Sequence, residues 1–283
     1  MRALILVMVL LPVLALMLIG CGGSSKAARH YNTGVELQKQ GRLEEAIKEY
    51  DETIRLNPKL VDAYLRRGDA YKQSGHYQQA LQDYNGAIRL GSRSASVYTS
   101  RGVAQLSLDQ VLRAIEDFGE AILEDPQFAD AYYNRGLAHY QQAHQDKAHV
   151  EMAIEDFDQA IRLAPNRAEG YVVRADAYRH LEHWQKAIDD LNEAMRLNPT
   201  ADDYLNRGDA YQYLGRPQQA VADFSEAIRL NPQFVWAYTL RSRSYGRMGE
   251  AQKAMADADQ AIHLSPQFWF AYKERGIAYD NLG

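Results

Sequence analysis

Two kinds of hydrophobic pattern divide the chain. Residues 3–20 read ALILVMVLLPVLALMLIG and hold no charge. From about residue 27 onward, apolar side chains return in small groups three and four positions apart, the spacing of one stripe on a helix. The groups themselves recur. A phrase close to Ala-Ile-Arg-Leu-Asn-Pro ends at Pro58, Pro126, Pro165, Pro199, Pro232 and Pro266, with Ser92 where another proline is due. Successive ends lie 34, 34, 39, 34, 33 and 34 residues apart. Aligning them places repeat starts near Ala27, Val61, Ala95, Ala129, Ala168, Ala201, Val235 and Trp269.

Within a repeat, numbered 1 to 34, positions 4, 8 and 11 share one side of a first helix, and 20, 24 and 27 share one side of a second. Small residues at 8 and 20 let the two helices approach, and tyrosine at 4 and 11 fills the gaps. Glycine near position 15 (Gly41, Gly75, Gly215, Gly249) opens the turn, and proline at 32 stops the second helix. The chain has 19 Tyr against 7 Phe. Seven of those tyrosines stand at position 4, five at position 11 and two at position 24, which assigns the excess to core packing.

The motif Tyr-x-x-Arg-Gly-x-x-Tyr, then Ala-x-x-x-Tyr/Phe-x-x-Ala, then Pro appears in repeat two as Tyr64, Arg67, Gly68, Tyr71, Ala80, Tyr84 and Ala87. In repeat six it appears as Tyr204, Arg207, Gly208, Tyr211, Ala220, Phe224, Ala227 and Pro232. This resembles the tetratricopeptide repeat in period and signature positions. The resemblance covers residues 27–283, as seven full repeats and a C-terminal half repeat. It implies an all-α fold, a right-handed α-solenoid of helix-turn-helix units.

Three departures stand out. Repeat four carries five extra residues between Tyr140 and Ala153, which predicts a helix about one turn longer or a protruding loop. The half repeat ends the chain with Trp269, Tyr272 and Tyr279, an unusually apolar cap. Position 7 is leucine in the family pattern but here Arg67, Arg101, Arg135, Arg174, Arg207, Arg241 and Arg275. Each complete repeat with that arginine has aspartate at 23: Asp83, Asp117, Asp156, Asp190, Asp223 and Asp257. The expectation is a ladder of Arg–Asp pairs, within a repeat or across one interface. The alternative is an arginine row that reads an anionic ligand.

Residues 1–20 form a segment apart, a targeting or anchoring element. A transmembrane helix would be short and interrupted by Pro12, and no Ala-x-Ala pair marks a plain secretory signal. Leu18-Ile19-Gly20-Cys21 resembles the lipobox of bacterial lipoproteins. That resemblance implies acylation of Cys21, the only cysteine, and anchoring in the lipid bilayer of a bacterial envelope, facing the periplasm. Gly22 in place of the aspartate retention signal favours the outer membrane where there are two. Residues 21–26 would be the lipidated cysteine and a tether spanning roughly 20 Å at most.

A formal net charge of −5 gives no basic face for nucleic acid. One cysteine excludes a disulfide framework and a Cys-rich zinc site. No Gly-x-Ser-x-Gly, His-Glu-x-x-His or phosphate loop occurs. His180 and His183 fall at an interhelix turn. His139, His144 and His149 would each be rotated by 140° on a single helix, so neither set is read as a metal site. No enzyme, cofactor or small-molecule substrate is expected.

What remains is binding. First-helix positions 2, 5, 9 and 12 lie opposite the packing stripe and would line a groove. They supply Asp62, Leu65 and Asp69, then Asp130, Tyr133 and Tyr140, then Glu169, Val172 and Asp176, then Asp202, Leu205 and Asp209, an acidic middle with apolar spots. Toward the C-terminus the character changes to Trp236, Arg243, Arg247, Phe270 and Lys273, near Tyr213. The Lys and Asn of the family's carboxylate clamp are absent at positions 5 and 9 of the early repeats. The expectation is a membrane-anchored scaffold or adaptor that holds a protein or peptide in this groove. A glycan ligand is the rival, and Trp236 and Phe270 sealing joints between repeats is the plain reading of those two rings.

Overall fold

The computed structural model describes residues 25–143 and 146–282, all of whose regular structure is helical. The first helix, α1, spans residues 25–39, so Ser25 and Lys26 are already helical rather than part of a tether. The chain divides into two compact units, Met1–Ala138 and His139–Gly283.

The first unit continues with α2 (Leu43–Leu56), α3 (Val61–Gln73), α4 (Tyr77–Arg89), α5 (Ala95–Leu106), α6 (Val111–Glu124) and the start of α7 (Ala129–Gln141). Odd-numbered helices open repeats, and from α3 onward they begin at the residues the sequence alignment gives. From α2 to α6 each helix packs on the next, and α3 also touches α5. The core is a file of small clusters: Ala46, Tyr50 and Ala70, then Ala80, Tyr84, Ala87, Val97 and Ala104. Each fully buried ring contributes roughly 1.5–3 kcal/mol of burial.

The second unit holds α8 (Lys147–Leu163), α9 (Ala168–His180), α10 (Trp184–Leu197), α11 (Ala201–Tyr213), α12 (Pro217–Leu230), α13 (Val235–Arg247), α14 (Ala251–Leu264) and α15 (Trp269–Asp280). Neighbours again pack in order, and first helices meet as α11 with α13 and α13 with α15. Here the core runs through Ala187 and Leu191, then Ala220, Phe224 and Leu240.

Local chemistry sets the boundaries. Thr200 and Asp203 form a reciprocal capping box at α11, Ser94 caps α5, and Pro217 opens α12. The turn glycines Gly41, Gly75, Gly215 and Gly249 all have φ between 69° and 77°. At the same position, repeats three and five force Asp109 and Glu182 to φ 58° and 60°. The turn geometry therefore comes from the packed helices, with glycine its least strained occupant.

The insertion in repeat four gives the longer helix that was one of the two expected outcomes. α8 has 17 residues where α6, α10, α12 and α14 have 14. Three of the five extra residues are thus in the helix, and Asp146 caps it by accepting from Ala148 N at 3.2 Å. Because a turn interrupts this stretch, His139 and His149 sit on separate helices. Their rings come within 6.1 Å in a stacked arrangement, an approach that one continuous helix would not give. His144 lies outside the described residues.

Candidate functional site

The arginine row is structural. Arg67 holds Asp83 through two bonds, Nε–Oδ2 at 2.8 Å and Nη2–Oδ1 at 2.6 Å. The same fork joins Arg101 to Asp117, Arg174 to Asp190, Arg207 to Asp223 and Arg241 to Asp257. Each carboxylate is buried, and each guanidinium lies beside the position-4 tyrosine of its own repeat, 5.8 Å from the Tyr64 ring for Arg67. The third guanidinium nitrogen reaches position 25 of the preceding repeat: Asp51 from Arg67, Asn85 from Arg101, Asp158 from Arg174, Asn192 from Arg207 and Ser225 from Arg241. One side chain thus closes its own repeat and fastens it to the one before. Burial works against charge on Arg67 and Arg174, yet the bonds and charge of their two aspartates exceed it and hold both above the ordinary arginine value. Position 25 gave no signal in sequence because it varies among Asp, Asn, Ser and, in repeat three, Gly119.

In the first unit the groove positions are only partly available. Asp62 is exposed and Leu65 half-buried against the Tyr84 cluster. Asp69 accepts the Tyr84 hydroxyl proton at 2.8 Å and lies 3.6 Å from Lys72 Nζ. Tyr133 is half-buried.

In the second unit Arg179 neutralises part of the acidic middle, while Glu169 and Asp202 are exposed. Arg179 reaches Asp176 at 2.8 Å, Asn206 at 3.0 Å and Asp209 at 3.1 Å. The sequence reading counted the two acids and overlooked this arginine, which stands one turn from Asp176. Val172 is half-buried. Tyr140 donates to the Asp176 carbonyl at 3.3 Å, and burial pushes its hydroxyl above the ordinary tyrosine value.

Farther along, Leu205, Asp209, Tyr213, Trp236, Arg243 and Phe270 line one cavity of about 300 Å³, with Arg179 at its edge. Trp236 is 45% exposed, and its ring packs on Phe268 at 4.8 Å and Phe270 at 5.6 Å. It therefore both seals the joint and faces solvent. Phe270 lies between Arg243 at 4.9 Å and Lys273 at 5.4 Å. Tyr213 is 62% exposed and stacks flat on Trp184, centroids 4.0 Å apart. Trp184 was missed because it begins a second helix, outside the positions assigned to the groove.

One correction concerns Arg243. Its guanidinium donates twice to Glu274 Oε1, at 3.0 and 2.8 Å, and Glu274 is 3% exposed. Its charge is matched within the chain. Arg247 donates to the Gln212 carbonyl at 2.9 Å, and neither it nor Lys273 has a carboxylate partner among the described residues. Among those residues no group of three or more His, Cys, Asp or Glu side chains could hold a metal ion, and no helix is long and apolar enough to cross a membrane. Cys21 lies outside them.

Profiles described as TPR repeat match residues 34–75, 68–109 and 110–142, and profiles described as tetratricopeptide repeat match 168–201 and 201–234, together more than half of the chain. The C-terminal part of a TPR repeat-containing protein from Cytophaga hutchinsonii superposes with a TM-score of 0.71 at 18% identity, over 86% of this chain and 98% of that one. A tetratricopeptide repeat protein from Parabacteroides merdae gives 0.63 at 17% identity, over 90% of this chain and 99% of that one. YrrB, described as a TPR protein with an unusual peptide-binding site, gives 0.50 at 21%, over 62% and 88%. No curated protein sequence matches the chain.

Proposed function

Because this chain belongs to the tetratricopeptide repeat family, we propose that it is a non-catalytic scaffold or adaptor, anchored to a bacterial envelope membrane through acylated Cys21, that holds a protein or peptide partner on the first helices of its second unit. The observation that carries the binding half is the cavity where Leu205, Tyr213, Trp236 and Phe270 come together. Exposed aromatic rings beside guanidinium groups bury much area at little entropic cost, the usual composition of an interaction hot spot. YrrB, whose description names a peptide-binding site, supports the peptide class. The lipobox-like Leu18-Ile19-Gly20-Cys21 supports the anchor. Two or more acyl chains at about 0.8 kcal/mol per methylene hold a protein on a bilayer stably.

Two experiments test the two halves. Crosslinking in envelope extracts should recover a protein partner, and Trp236→Ala should weaken its capture at least tenfold, about 1.4 kcal/mol, with little change in melting temperature. Recovery of peptidoglycan without protein would favour the glycan reading. Feeding a clickable fatty acid should label the wild type and leave Cys21→Ser unlabelled; equal labelling would remove the anchor.

A further inference from the structure

A first helix in this chain is covered by the second helix of its own repeat, as α4 covers α3, α6 covers α5 and α12 covers α11. Each of these covering helices brings alanine at positions 20 and 27, an aspartate at 23 for the arginine fork, and a ring at 24. Beneath it the glycine at position 8 is buried, and the tyrosines at 4 and 11, such as Tyr204 and Tyr211, are half-buried. A Cβ added to Gly68, Gly102 or Gly208 would stand 2.6–2.9 Å from the covering ring.

α15 carries the same first-helix residues with no second helix over them among the described residues. Tyr272, Arg275, Gly276 and Tyr279 stand at positions 4, 7, 8 and 11. A Cβ on Gly276 would meet nothing within 4 Å. Tyr279 is 70% exposed, and Tyr272 and Trp269 are exposed as well. Arg275 keeps the backward arm of its row: Nη1 donates to Asp259, at position 25 of the preceding repeat, at 3.4 Å, and the guanidinium lies 5.2 Å from the Tyr272 ring. Its forward fork holds no aspartate, and its side chain is 43% exposed against 18–20% for the five forked arginines. With Met255 and Asp259 of α14, these residues line an open hollow of about 610 Å³. A repeat array that ends in water needs a polar outer face. This end is aromatic, with one cation whose fork is free.

We propose that the open face of α15 docks an amphipathic helix of a partner protein with the pattern small-x-x-Asp-Phe/Tyr-x-x-small: its aspartate takes the fork of Arg275 and its ring lies on Gly276. An apolar hollow along a helix suits the apolar face of another helix, and the bidentate fork selects a carboxylate at one fixed place on it. A second copy of this chain has no such helix to offer. The described residues begin and end on first helices, α1 and α15, and each second helix from α2 to α14 is already packed on a first helix of its own unit. The surface lies at the end of the second unit, outside the groove, and stands whether or not the groove reading holds.

The test uses the full chain and, as probe, a fluorescein-labelled peptide of the α12 sequence PQQAVADFSEAIRL, which carries the pattern as Ala220, Asp223, Phe224 and Ala227. Fluorescence anisotropy should show it binding at least tenfold tighter than the same peptide with Asp223→Asn or Phe224→Ala. In the full chain, Gly276→Leu fills the hollow and should cost at least tenfold in affinity for the probe, with no fall in melting temperature. Arg275→Gln should weaken the probe at least tenfold and leave the Asp223→Asn peptide unchanged, which decides the matter if the filled variant does not fold. Absence of binding, equal binding of the probe and the Asp223→Asn peptide, or undiminished binding by both variants would overturn the proposal. Self-association in sedimentation velocity that Gly276→Leu abolishes would put a second copy on α15 and overturn the partner helix.

Discussion

A Cβ placed on Gly208 would stand 2.6 Å from Cε1 of Phe224, so the glycine at position 8 and the ring at position 24 are two halves of one contact. Where position 8 has gained a side chain, the partner has shrunk: Ala175 faces Leu191 in repeat five, and Ser242 faces Ala258 in repeat seven. Gly208→Ala should therefore overpack the core and cost about 2 kcal/mol, within the usual range for forced side-chain shifts. Phe224→Leu in the same chain should recover part of that loss. Urea unfolding followed by circular dichroism measures both, and a Gly208→Ala variant of unchanged midpoint would show that the helices part freely.

The two arms of each position-7 arginine should differ in weight. Asp190, 6% exposed, receives two bonds from Arg174, whereas Asp158 receives one and is about half exposed. Asp190→Ala strands a half-buried guanidinium and should cost about 3 kcal/mol. Asp158→Ala should cost about 0.5 kcal/mol. Arg174→Lys should resemble the first more than the second, because a single ammonium cannot reproduce the fork. Similar losses for Asp158→Ala and Asp190→Ala would mean that the link between repeats carries as much as the link within one.

Glu182 occupies a left-handed turn position, at φ 60°, that Gly41, Gly75, Gly215 and Gly249 fill elsewhere. A left-handed conformation costs a non-glycine residue roughly 1–2 kcal/mol, and glycine returns part of that through a freer unfolded chain. Glu182→Gly should raise stability by about 0.5–1 kcal/mol, read as a higher melting temperature. The reverse change, Gly215→Glu, should lower it by a similar amount.

Alkaline pH should unfold the first unit through its buried phenols. Burial pushes the Tyr50 hydroxyl up to about 12, and it raises Tyr84 as well. An unfolded tyrosine ionises near 10. Below that value the stabilising contribution is complete; between about 10 and 12 the unfolded chain loses the proton while the folded chain keeps it, so stability falls as pH rises. Melting temperatures of wild type and Tyr50→Phe should diverge over that interval, the variant falling less steeply. Parallel curves would mean that Tyr50 ionises without unfolding.

The 34-residue period, the helix pairs, the turn glycines and the Arg–Asp ladder were legible in the sequence because each repeats in register, and a contact made many times leaves its two partners covarying at a fixed spacing within one chain. Arg67 with Asp83 and Arg207 with Asp223 could be read in this way before any coordinate. The tertiary structure alone decided what happens where the register carries no repetition. It showed that the insertion of repeat four lengthens α8, and that His139 and His149 meet across two helices. It also showed that Arg179 neutralises Asp176 and Asp209, that Arg243 answers Glu274, and that Tyr213 stacks on Trp184. The physical reason is distance along the chain against distance in space. A helix stripe is fixed by neighbours three and four residues away, whereas the charge and shape of the candidate site come from side chains about 30 residues apart, whose meeting depends on how one repeat is seated upon the next.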